Sequence, residues 1–194
     1  MAHYQFRIKI RDVVKPPVWR VVDLPAHTRF DTFREIIMRV FGWDGESIWI
    51  FSPSGYGSSP EISMPSPTET KVLDMLGITH RFANEVSLSD VFHVVGDKFT
   101  FTPDIDCWYV CEIALEKITD NESNVASLIK ASGTTPVKGC KDAAYYNRMK
   151  RVLTRPQHFD YEKFCNFMGV DDGSKCDFRS PNVECGVICE VEGL

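Results

Sequence analysis

Tyr4, Phe6, Ile8 and Ile10 alternate with Gln5, Arg7 and Lys9, and this period of two predicts a half-buried strand at the start of the chain. Lys15-Pro16-Pro17 interrupts it. The two prolines lack amide donors, which places them at a strand entrance or bulge. A second extended run follows from Val18 to Leu24 and closes at Pro25. The pattern then changes period. Phe30, Phe33, Ile36, Ile37, Val40 and Phe41 recur at offsets of three and four, one apolar stripe of a helix over about 29–41, with Arg34, Glu35 and Arg39 expected to face water. Thr28 and Asp31 have capping-box spacing at its start, and Gly42 stops it.

Farther on the signals are shorter. Ser47–Phe51 predicts a short strand, and the Ser-, Pro- and Gly-rich stretch Ser52–Thr70 predicts a long exposed loop. Lys71–Leu76 and Ser87–Phe92 each suggest a turn of helix. Lys98–Thr102 and Trp108–Ile118 alternate as strands that pair across Pro103–Asp106, whereas Asn121–Gly139 is a polar connection with no assigned element. Asp142–Leu153 and Phe159–Met168 read as helices, the first with Ala143, Tyr146, Met149 and Leu153 on one side, the second with Phe164 and Phe167 inward and Gly169 as its stop. Val183–Val191 is an edge-strand candidate. Together these elements predict an α+β fold: a mostly antiparallel sheet packed against the helix near 29–41, with a smaller helical C-terminal part at about 140–170. The expected organisation is one domain over 1–194 with its core at about 4–120.

Composition adds limits. At 194 residues and 43% hydrophobic, the chain can bury roughly 70% of its unfolded surface and needs neither metal nor disulfide to fold. Its start lacks the cationic head and apolar run of a signal peptide, and no stretch of about 18 apolar residues predicts a membrane span. Seven cysteines, an odd number in a chain without an export signal, suggest reduced thiols and a cytoplasmic location. Net charge is −5, yet Lys130–Arg155 holds seven basic residues against Asp142 alone.

The order of these signals resembles the plasmid pRiA4b Orf-3-like family, small α+β proteins of bacteria, archaea and mobile elements. The resemblance rests on Pro16-Pro17-Val18-Trp19-Arg20, on the helix that ends in Phe41-Gly42-Trp43, and on Trp49-Ile50-Phe51 with Tyr56-Gly57. Asp106 with Trp108, Leu115-Glu116-Lys117-Ile118 and Phe159-Asp160 extend it. It runs along most of residues 4–170 and is strongest in the first 57. The chain also departs from the family pattern. Arg34, Ser47 and the Tyr109-Val110 neighbourhood stand where the family commonly has histidines. Pro103-Asp104-Ile105-Asp106 replaces an Asp-Phe-Gly-Asp run, and Thr135-Pro136-Val137-Lys138-Gly139 replaces a Cys-Pro-Pro-Glu-Asp-like segment. Groups able to hold a metal or move a proton are thus exchanged for groups that cannot. The resemblance implies a fold; the family has no settled activity.

Candidate chemistry is sparse. Cys107/Cys111 and Cys185/Cys189 share C-x-x-x-C spacing, but residues four apart on a strand lie about 13 Å from each other, too far for one ion. No nucleophile elbow, H-E-x-x-H or Walker loop occurs, and the five histidines are scattered among loop or strand-edge contexts. No catalytic residue, metal ligand or cofactor is therefore assigned. Trp19, Trp43, Trp49 and Trp108 are expected to serve mainly as core, with Trp49 the exception because it adjoins the Ser52–Thr70 loop. Trp49 and Tyr56 are the candidate contact residues for an unidentified protein or peptide partner. The alternative is a nucleic acid gripped by Arg148, Arg151 and Arg155, whose helical spacing lines them along one side. An unrecognised enzymatic site is the remaining alternative.

Overall fold

The computed structural model describes the whole chain except Glu46, Asp106–Trp108, Lys138 and Gly193–Leu194. Nine strands form one sheet: β1 (Ala2–Ile10), β2 (Trp19–Pro25), β3 (Ile50–Ser52), β4 (Glu61–Ser63), β5 (His80–Phe82), β6 (Lys98–Thr102), β7 (Cys111–Asp120), β8 (Val125–Ser132) and β9 (Gly186–Glu190). Their spatial order is β5-β4-β3-β6-β7-β1-β2-β8-β9. All neighbours are antiparallel except β4 and β5, which run parallel. Four helices accompany the sheet: α1 (Phe30–Phe41), α2 (Pro67–Met75), α3 (Ala143–Leu153) and α4 (Tyr161–Met168). This is an α+β fold built on a mostly antiparallel sheet.

The alternation in β1 turns Tyr4, Phe6, Ile8 and Ile10 into the core, all of them buried. Helix α1 lays its apolar stripe on that face. Phe30 meets Phe51 edge-on with centroids 4.9 Å apart, and Phe33 contacts Phe6 at 5.3 Å. Buried aromatic side chains carry large apolar area each, so these rings make up much of the interior. On the opposite face, Arg7 ion-pairs with Glu116 and lies 4.4 Å over the Trp19 ring, and Arg11 pairs with Glu112.

Several expectations are corrected here. The Thr28–Asp31 capping box does not form: Thr28 Oγ1 donates to the Pro25 carbonyl at 2.6 Å, and Arg29 caps α1 without a side-chain bond. Gly42 does end the helix, in the left-handed conformation at φ 65°. Arg34 does not face water. Its side chain is 12% exposed, donates to the Gly45 carbonyl at 2.7 Å and lies 5.7 Å from the Trp49 ring. The region read as a loop over 52–70 holds β4 and the first turn of α2, where Ser66 and Glu69 form a capping box. The polar connection over 121–139 contains β8, which pairs with β2. Asp106, Cys107 and Trp108 lie outside the described residues. His3 is neither in a loop nor at an edge. It is buried in the central strand β1, between Asp23 Oδ2 at 2.8 Å and the Ser123 carbonyl at 2.6 Å.

Arg20, from the Pro-Pro-Val-Trp-Arg segment, is fully buried, and no carboxylate pairs with it among the described residues. Nε donates to Val40 O at 2.8 Å, Nη1 to the Trp19, Ser132 and Gly133 carbonyls, and Nη2 to Thr135 Oγ1 at 2.9 Å and Asn182 Oδ1 at 3.4 Å. Burial lowers its pKa to about 10. The cation is held by neutral acceptors, among them a carbonyl of the last turn of α1, where the helix dipole is negative.

Candidate functional site

Three concave regions merit attention, and the first involves the sequence-predicted contact residues. The short parallel pair β4–β5 is bridged by α2, which crosses above the sheet. In β4, Ile62 points into the core while Glu61 and Ser63 point the other way, as the strand period requires. Between α2 and this outer face lies a groove of about 360 Å³ lined by Trp49, Ile50, Tyr56, Glu61, Ser63, Leu73 and Ile78 among others. Trp49 is half-buried and anchored to the core through an edge-on contact with Phe51 at 5.8 Å. Tyr56 is 72% exposed at the rim. Trp49 and Tyr56 are therefore brought together.

The groove is apolar and open at its edges. Ile48, Met64, Val72 and Leu76 all line it and are all exposed, and α2 buries none of its residues. A cluster of exposed large apolar side chains around a concavity is a characteristic of an interaction surface. The polar floor is narrow. Glu61 is 1% exposed; one carboxylate oxygen accepts from Gly57 N at 3.2 Å, and Oε2 has no hydrogen-bond partner among the described residues. Ser63 Oγ lies 3.2 Å from His80 Nε2. Desolvation lowers the His80 pKa, partly offset by the charge of Glu61. Glu69 also lines the groove, but its carboxylate is spent on the Ser66 amide. Glu61 was missed in the sequence because three residues of strand inside a Ser- and Pro-rich stretch carry too little alternation to stand out.

The second region is a cleft of about 440 Å³ between the end of α1 and the 133–140 segment, meeting the groove at Ser47. Its walls include Trp43, Ser47, Pro103, Asp104, Pro136, Val137 and Gly139. Ser47, Pro103, Asp104, Val137 and Gly139 are among the positions read from the sequence as departures from the family pattern, and they share this cleft with Trp43, which follows that pattern. Ser47 Oγ donates to Asp104 Oδ2 at 3.0 Å.

The third region lies beside α3, the connection between β1 and β2, and the 174–179 segment. Arg148, Arg151 and Arg155 do not form one free face. Arg148 pairs with Asp160, and Arg155 follows α3. Arg151 instead lines a basin of about 920 Å³ with Lys15, Lys150, Lys175 and Arg179, against the carboxylate of Asp177. Lys150 is nearly buried, donating to the Val14 and Pro16 carbonyls at 2.7 and 3.1 Å, and burial lowers its pKa to about 8. Sequence reading could not assemble this basin, because its members come from three distant segments.

Among the described residues, no group of three or more His, Cys, Asp or Glu side chains is placed to hold a metal, and no helix is long and apolar enough to cross a membrane.

Comparison with known proteins gives the following. The family model described as "Plasmid pRiA4b ORF-3-like protein" matches residues 2–184. A crystal structure of a protein of unknown function from Methanosarcina mazei Go1 is similar with a TM-score of 0.73 at 17% identity, over 92% of this chain and 94% of that one. No curated protein matches the chain.

Proposed function

The chain belongs to the plasmid pRiA4b ORF-3-like family, and from that premise we propose that it is a non-catalytic binding protein that takes a segment of a partner protein into the groove between α2 and β4. The observation that carries this reading is the ring of exposed apolar side chains around a concavity that already holds a core-anchored tryptophan. Binding energy in such surfaces concentrates in aromatic anchors that become fully desolvated near the centre of the contact, a role that half-buried Trp49 fits, with Tyr56 closing the rim. The cleft beside Ser47 supports the non-catalytic part, since Ser47 stands there in place of a histidine and Pro103 and Gly139 in place of acids of the family pattern, with the remaining carboxylate of Asp104 accepting from Ser47. The test is selection of a displayed random-peptide library on the wild-type protein, followed by affinity measurement. Selected peptides are expected to lose at least ten-fold in affinity with Trp49→Ala, and less with Tyr56→Ala. Equal binding to wild type and Trp49→Ala would refute the proposal.

A second reading is favoured by the basin beside α3: Lys15, Arg151, Lys175 and Arg179 stand there around Asp177 and suit a polyanion such as nucleic acid, while Lys150 is committed to backbone carbonyls and Lys175 also pairs with Asp172. Counterion release then requires affinity to fall steeply with salt. Fluorescence anisotropy with a labelled DNA duplex at two salt concentrations tests it. Binding lost on Arg151→Glu with Lys175→Glu supports this reading, and absence of binding at low salt removes it.

A further inference from the structure

Glu61 carries one of the few buried side-chain atoms that have no hydrogen-bond partner among the described residues. It is 1% exposed, lines an otherwise apolar groove, and leaves Oε2 without a hydrogen-bond partner among the described residues. Buried polar atoms are almost always satisfied, and an exception calls for a cause. A buried carboxylate without a paired cation also works against folding, and desolvation disfavours the protonated form of His80, the imidazole on which the Glu61 charge acts. No ion pair involving Glu61 occurs among the described residues, and the neighbouring carboxylate of Glu69 is committed to its helix cap.

From this geometry we infer that the groove recognises a lysine side chain of its partner, with the ammonium at Glu61 Oε2 and Ser63 Oγ and the methylene stem against Trp49, Ile50 and Leu73. The inference rests on the groove reading above and specifies its ligand. Charge complementarity selects a cation, and the apolar walls select one carried on a hydrocarbon stem. The same geometry separates lysine from arginine. A guanidinium binds carboxylates best through two parallel bonds to both oxygens, and the Gly57 amide already takes up part of the other Glu61 oxygen. One carboxylate oxygen beside a hydroxyl suits the compact, point-charge ammonium. Acetylation of the lysine removes the charge and adds bulk, so the modified side chain is rejected.

The test is a titration of the full-length protein with four short peptides, followed by the indole NMR signal of Trp49 assigned with Trp49→Phe. The peptides are acetyl-Ala-Ala-Lys-Ala-Ala-amide and its arginine, norleucine and Nε-acetyllysine counterparts. The lysine peptide is expected to bind at least ten-fold more tightly than the norleucine and acetyllysine peptides, and more tightly than the arginine one. Glu61→Gln, which keeps the side-chain shape, is expected to abolish that preference while leaving norleucine binding in place. Equal affinity for lysine and norleucine, or tighter arginine binding, overturns the lysine assignment but leaves the groove as a contact surface. No saturable shift with any peptide overturns the lysine assignment, and if library-selected peptides also bind Trp49→Ala undiminished, the groove reading fails as well.

Discussion

Arg20 Nε donates to the carbonyl oxygen of Val40 at 2.8 Å, joining the second strand of the sheet to the last turn of α1. The remaining guanidinium donors reach the end of β8, Thr135 and Asn182, so one side chain ties together segments more than 160 positions apart in sequence. Removing it leaves several buried carbonyls without donors, each costing about 1–3 kcal/mol. Arg20→Ala is therefore expected to destabilise the protein by at least about 3 kcal/mol in urea unfolding, a size typical of a broken buried network. A loss below about 1 kcal/mol would show that the network is dispensable.

Gly133 occupies a position where no side chain fits. Its φ is +74°, and an added Cβ would lie 2.4 Å from the Pro17 carbonyl oxygen and 2.9 Å from Val18 Cγ2. The contacting atoms include backbone, which cannot swing aside. Gly133→Ala is expected to lower the melting temperature well beyond Gly57→Ala, where the backbone strain is similar at φ +80° but the space is open. Equal effects in the two variants would contradict the packing argument.

Lys150 makes stability depend on alkaline pH. Its pKa is lowered to about 8 by burial, from an ordinary 10.5. Below pH 8 both folded and unfolded forms hold the proton, and the burial cost is fully present. Between about 8 and 10.5 the folded form releases the proton while the unfolded form retains it, so stability rises with pH. Relative to Lys150→Met, which has no such group, the wild type should gain stability between pH 7.5 and 9.5. Urea unfolding at both pH values measures the difference; parallel behaviour of the two proteins would rule out the mechanism.

Thiol reactivity should follow burial. Cys111 is wholly enclosed and its pKa is pushed up by desolvation, whereas Cys185 is exposed. Alkylation with iodoacetamide followed by mass mapping is expected to modify Cys185 in the native protein, with Cys111 and Cys165 modified only after denaturation. Native labelling of Cys111 at a comparable rate would mean that the sheet opens locally.

Much of the sheet was legible because its long strands obey a period of two over enough residues to be seen: Tyr4–Ile10 and Lys98–Thr102 are found where alternation placed them. Helix α1 was equally clear from its six-residue apolar stripe. What escaped notice were short elements held by tertiary partners. Three residues of β4 carry no periodicity of their own, and they form a strand because Phe51 and the β5 segment pair with them. Strand β8 was hidden because its apolar residues do not alternate cleanly: Ala126 and Leu128 are buried, the adjacent Ile129 is exposed, and the register shifts against both neighbouring strands. For the candidate site, Trp49 and Tyr56 were visible as aromatic residues beside and within the Ser-, Pro- and Gly-rich stretch. Glu61 was not, because burial of a carboxylate is a property of the assembled sheet and helix. The three arginines were legible as charges, but helical spacing could not reveal that Asp160 engages Arg148.

Under the proposed function, a partner contacts the groove between α2 and β4. Backbone amide NMR shifts during titration with a library-selected peptide locate that contact directly. Perturbations concentrated at residues 47–78, centred on Trp49 and Glu61, are the result expected here. Perturbations centred on the Arg151 basin, with residues 47–78 unmoved, would contradict it.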